Sequence, residues 1–109
     1  MRERDQSRVE LMVVEDIFDL SGLGLTLAPL FEVPPRWANR DEDVTVVRPD
    51  GTAFSARAKF EVTHFRLAEA SRLKSPWQIV IRLPAETKAT VPIGSRILVD
   101  VAAKDALAS

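Results

Sequence analysis

From residue 15 to residue 24 the chain reads Glu15-Asp16-Ile17-Phe18-Asp19-Leu20-Ser21-Gly22-Leu23-Gly24, three carboxylates ahead of a turn bracketed by glycines. Such a stretch could cradle a phosphate, hold a cation or simply reverse the chain. A phosphate loop of the G-x-x-x-x-G-K-[ST] kind brings backbone N–H groups and a lysine to the anion. Gly22-Leu23-Gly24 lacks the third glycine and the lysine. The plainer reading is a tight reversal relieved by its glycines, packed by Ile17, Phe18 and Leu20, with Glu15, Asp16 and Asp19 solvated.

His64 is the only histidine. It continues the parity of an apolar row, so it is expected at the inner end of a strand, partly buried and hydrogen-bonded. General acid–base work needs a nucleophile or an orienting carboxylate within hydrogen-bonding reach. None stands at a fixed spacing from it. With one histidine and no cysteine a zinc site is not expected either. Asp41-Glu42-Asp43 could approach a hard cation, but the run lacks the spacing and the turn glycine of a calcium loop. It reads as a solvated acidic loop. No catalytic residue, cofactor or metal is therefore expected.

Binding is the better prospect. Residues 48–74 carry six basic residues against three acidic ones. Arg57 and Lys59 point outward on the best-defined strand, Arg66 follows, and Phe65 breaks the alternation and could stack on a base. Trp37, in Pro34-Pro35-Arg36-Trp37, either caps one end of the core or stands out as an interface anchor. Trp37, Arg57, Lys59, Phe65 and Arg66 are thus the candidate partner-contacting residues. The alternative for the charges is ordinary surface decoration.

These residues must be positioned by strands. Phe54, Ala56, Ala58, Phe60 and Val62 alternate with Ser55, Arg57, Lys59 and Glu61, the pattern of a half-buried antiparallel strand. Trp77, Ile79, Ile81 and Leu83 alternate with Gln78, Val80 and Arg82. Val44 and Val46 form a shorter row. Val9, Leu11 and Val13 form another, with Met12 and Val14 suggesting burial on both sides; Ile97, Val99 and Val101 give a last strand. Arg48-Pro49-Asp50-Gly51 has hairpin chemistry, proline at the fixed-φ position and glycine where φ turns positive. Pro34-Pro35 ends a strand running from Leu25 to Val33, and Val91-Pro92-Ile93-Gly94 punctuates the approach to the last strand. Only residues 66–74, with Leu67, Ala70 and Leu73 three apart, read as helical.

The 109 residues, 46% hydrophobic and 28% charged, suit one globular domain. No apolar run approaches a membrane span, the charged N-terminus does not read as a secretory leader, and the absence of cysteine suits a reducing cytoplasm. Net charge is −1, yet residues 1–50 hold 6 Lys/Arg and 11 Asp/Glu while residues 51–109 hold 9 and 5. Either the molecule shows two faces of opposite sign, favouring an oriented partner or self-association, or strands from both halves interleave and the field averages out. The expected fold is all-β: a small closed antiparallel barrel of roughly six or seven strands with at most one short helix. Its parts are a flexible arm over 1–7, the barrel over 8–101 and a frayed tail over 102–109.

The strand ending Glu15-Asp16-Ile17-Phe18, then Leu20-Ser21-Gly22-Leu23-Gly24 and an apolar strand, resembles the first hairpin of the second domain of translational GTPases, the β-barrel of elongation factor Tu and its relatives. Asp41-Glu42-Asp43-Val44-Thr45-Val46 and Val91-Pro92-Ile93-Gly94-Ser95-Arg96-Ile97-Leu98 are similar to two later strands of that barrel. Leu23 stands where an arginine is common, Glu42 where a glycine is, and no GTPase motif is present. The resemblance implies a barrel and a docking role without nucleotide hydrolysis. The expected function is a non-catalytic macromolecule-binding module, docking a protein in preference to RNA. The alternatives are an RNA- or ribosome-contacting accessory factor and a small enzyme with a site in the barrel mouth. A homo-oligomer is compatible with all three.

Overall fold

The computed structural model describes residues 8–20, 24–64 and 77–108. Among the described residues seven strands and one helix follow in order: β1 (Arg8–Val13), β2 (Asp16–Leu20), β3 (Gly24–Glu32), β4 (Arg40–Val47), β5 (Ala53–His64), β6 (Trp77–Leu83), β7 (Arg96–Asp100) and α1 (Val101–Ala108). The strands make one antiparallel sheet in the order β1-β7-β4-β5-β6-β3-β2. Consecutive β1 and β2 therefore sit at its two ends. With neighbouring strands about 4.8 Å apart, a flat sheet would hold those ends roughly 29 Å from each other. The link between them, Val14-Glu15, can stretch to about 11 Å. The sheet must curl, and it forms a half-barrel.

The concave side holds the core. Leu25, Leu27, Val44, Val46, Phe60 and Ile79 are buried, with Ile81, Leu83, Ile97 and Val99 among the rest. On β5 the row Ala56, Ala58, Phe60 turns inward as its alternation predicts, and Phe54 and Val62 pack partly buried against the same cluster. Fully burying a side chain such as Phe60 contributes about 1.5–3 kcal/mol, so these rows set both the curl and most of its stability.

The β4–β5 hairpin follows its sequence. Gly51 has φ 92°, its N–H donates to the Arg48 carbonyl at 2.9 Å, and the Arg48 N–H donates to Thr52 at 2.8 Å. The Asp50 carboxylate accepts from the Thr52 N–H at 2.9 Å and from its hydroxyl at 2.6 Å. β3 ends at Glu32, just before Pro34-Pro35. Pro29, which has no N–H for the ladder, sits where the β3–β6 register is broken between Leu27 and Phe31.

Several expectations are corrected. The β1 register shifts between Glu10 and Met12. Beyond this bulge Val13 is exposed, while Met12 and Val14 are buried as expected and Val9 and Leu11 pack partly buried on the core. On β6, Trp77 is 53% exposed because it lies at the strand's first position, beyond the core. Gln78 and Val80, expected outside, are buried. His64 is exposed rather than partly buried, since the inward row of β5 ends at Val62. The last strand stops at Asp100, and Val101, expected in that strand, begins α1, which runs on over residues expected as a tail. Ala103 is buried there and Leu107, one turn on, packs on the same cluster, which holds a helix too short to persist alone. The helix expected over residues 66–74 lies outside the described residues.

Candidate functional site

The convex face of β4 and β5 brings together four of the charged side chains singled out in the sequence. The β4–β5 register sets Asp41 across from Lys59 and Asp43 across from Arg57. Strand alternation sends all four outward, opposite to Val44, Ala56 and Ala58. Each couple is an ion pair: Arg57 Nη1 to Asp43 Oδ1 is 2.9 Å and Lys59 Nζ to Asp41 Oδ1 is 3.5 Å. Their side chains are 42–68% exposed. The hydrogen bond from Arg57 to Asp43, and then the fields of Asp43, Asp41 and Glu42, hold the guanidinium above its ordinary pKa.

Arg8 joins this face from β1. Its Nη1 donates to the Asp43 carbonyl at 2.6 Å and to the Leu98 carbonyl at 3.4 Å, and its Nε lies 3.5 Å from Asp100. Arg8, Asp41, Glu42, Asp43, Arg57 and Asp100 line an open polar groove. Arg40 pairs with Glu42 alongside. Glu10–Arg96 at 3.7 Å adds another ion pair between the two halves of the sequence. The halves thus interleave in the sheet, and their opposite charges meet side by side. Among the described residues no group of three or more His, Asp or Glu side chains is arranged to hold a metal ion.

The other candidates are dispersed. Trp37 is half-buried against the core. Its indole N–H donates to Asn39 Oδ1 at 3.2 Å, and that oxygen also accepts from the Val62 N–H at 2.9 Å. Trp37 is thereby linked through Asn39 to β5 at Val62, beside a turn in which Arg36 takes φ 64°. Arg48 is committed internally: its Nε donates to the Thr90 carbonyl at 2.8 Å and its guanidinium lies 4.6 Å from the Phe54 ring centre. Phe65 and Arg66 lie outside the described residues.

Sequence reasoning missed two features. His64 and Trp77 face each other across β5 and β6 and meet edge to face, ring centres 4.6 Å apart; each ends its strand, and end positions escape the inward rule. Arg8 belongs to no local motif, because its partners lie 35 and 90 residues away in sequence. No protein-family model, curated protein or solved structure matches the chain. Among the described residues, no helix is long and apolar enough to cross a membrane.

Proposed function

We propose that this chain is a non-catalytic docking module, its half-barrel completed into a barrel similar to the second domain of translational GTPases, and that it binds a protein through the convex face of β4 and β5. The observation that carries this reading is the pairing of each cation there with a carboxylate, Arg57 with Asp43 and Lys59 with Asp41. A phosphate backbone is met by a surplus of cations, which the described residues of β4 and β5 do not offer on this face. Alternating signs at fixed positions suit a protein surface instead, where complementary charge patterns set orientation and exclude wrong partners. Exposed pairs add little to folding stability, so exchanging them for partners on another chain costs the fold little.

The test compares the wild-type chain with Asp43→Arg/Arg57→Asp, which keeps the pair and the net charge but inverts the pattern. Both are immobilised and exposed to lysate of the source cell, with and without nuclease. The expected result is a defined set of proteins retained by the wild type, insensitive to nuclease and lost by the swapped variant. Equal retention by both proteins would overturn the reading, and capture abolished by nuclease would replace it with RNA contact.

A further inference from the structure

We infer that the β4–β5 face is self-complementary and that the partner it fits is a second copy of this chain; the inference rests on the reading of this face as a docking surface. β4 presents an acidic row, Asp41 and Asp43, and β5 presents a basic row, Lys59 and Arg57, with each acid level with one base. Two copies placed face to face about a two-fold axis parallel to these strands exchange the positions of the rows and keep every residue at its own height. Asp43 of one copy then stands over Arg57 of the other, and Asp41 over Lys59, four opposite-charge contacts from two residues on each strand. An axis perpendicular to the strands would set acid over acid instead. Charge therefore selects one orientation, and the contact is isologous, as closed dimers require.

The chemistry allows each group two partners at once. A carboxylate offers about four acceptor sites and a guanidinium five donors, so the pairs within each copy persist while those between copies form. Beyond the charged rows the convex face continues with Ala53 and Ser55, both exposed and small, which lets the two sheets approach. With few apolar groups in the patch, association is electrostatic in origin. It weakens with salt, because screening shortens from about 10 Å at 0.1 M to about 3 Å at 1 M.

Sedimentation equilibrium of the whole chain tests this. At low salt the mass should climb with concentration from the 12.1 kDa monomer towards twice that value, and fall back in high salt. Asp41→Lys/Asp43→Arg and Arg57→Asp/Lys59→Asp should each remain monomeric alone, and an equimolar mixture of the two should form a heterodimer. Circular dichroism confirms that each variant is folded; should one fail to fold, the salt and concentration dependence of the wild type decides the matter. A wild type that stays monomeric at every concentration overturns the inference. So do variants that self-associate as the wild type does, or a mixture of folded variants that stays monomeric. Asp43→Arg/Arg57→Asp separates this inference from the docking reading: it keeps the self-complementary pattern, so it should still dimerise while losing other captured proteins. A monomeric wild type whose captured proteins are lost on the swap leaves the docking reading standing without self-association.

Discussion

Val14 and Glu15 are neighbours in the chain, yet they hydrogen-bond towards opposite ends of the sheet: the Val14 N–H donates to Ser95 at 2.8 Å and the Glu15 N–H to Ala28 at 2.9 Å. Six antiparallel steps separate β1 from β2 in the seven-stranded order, so the two run the same way. They amount to one long strand that leaves β7 and takes up β3 at this corner. The Gly94 N–H donates back to the Val14 carbonyl at 2.8 Å, which fastens the turn before β7 to the same point.

That corner should be among the slowest places to open. The amides of Val14, Glu15 and Gly94 are expected to exchange with solvent deuterium far more slowly than the exposed turn at Asp50-Gly51. Glu15→Pro removes the N–H that Ala28 accepts and should lower stability by about 1–3 kcal/mol. Glu15→Ala, which alters only an exposed side chain, should be close to neutral. Chemical denaturation of both variants checks the difference.

Glycine substitutions should separate backbone conformation from crowding. Gly24 has φ 81°, and a Cβ there would lie 2.7 Å from Cα of Pro84. Gly51 has φ 92° with nothing within 4 Å of the same position. Gly51→Ala should cost about 1–2 kcal/mol, the penalty of a left-handed conformation for a residue with a Cβ. Gly24→Ala should cost more, because the backbone of Pro84 has to move as well. Thermal melts of the two variants give the order.

Trp37 should behave as a packing residue. Half-buried and packed on the core, it stands to lose about 2 kcal/mol on truncation to alanine, below the roughly 3–5 kcal/mol of a fully buried aromatic such as Phe60. His64→Ala should cost less than either, since that exposed ring loses only its edge-to-face contact with Trp77. Urea titration of Trp37→Ala, Phe60→Ala and His64→Ala should rank them in the order Phe60, Trp37, His64. A Trp37→Ala protein as stable as wild type would mark Trp37 as an interface anchor instead.

Asp50 carries a pH signature. Hydrogen bonds from the Thr52 hydroxyl and N–H, and to a smaller extent the charge of Arg48, hold its carboxyl below the ordinary value. A depressed folded-state pKa means that the stabilisation is present above the unfolded value and fades as pH falls through the folded one. Thr52→Val, which removes the hydroxyl contact, should move the Asp50 titration up towards the ordinary carboxylate range. Carboxyl-carbon NMR followed against pH reads the shift directly.

Much of the half-barrel was legible in local pattern. The inward row of β5, the Pro49-Asp50-Gly51 turn and the end of β3 before Pro34-Pro35 each express a rule acting over a few residues: the period of a strand, the φ of proline, the freedom of glycine. The outward stance of Arg57 and Lys59 came from the same period. Their matching to Asp43 and Asp41 did not, because cross-strand neighbours depend on register, which is set by the hairpin turn and the packing of the whole face.

Where such rules failed, a long-range contact had prevailed. The register shift in β1, where it pairs with β7, accompanies the exposure of Val13, which alternation placed in an apolar row. Residues 101–108 are rich in alanine but too few to hold a helix alone, and they become one because Ala103 and Leu107 find the core. Alternation along the chain established which residues a strand could bury. Which strand lay beside it, and so which charges met, depended on the closing of a curled sheet around one apolar interior, an energy shared among residues distant in sequence.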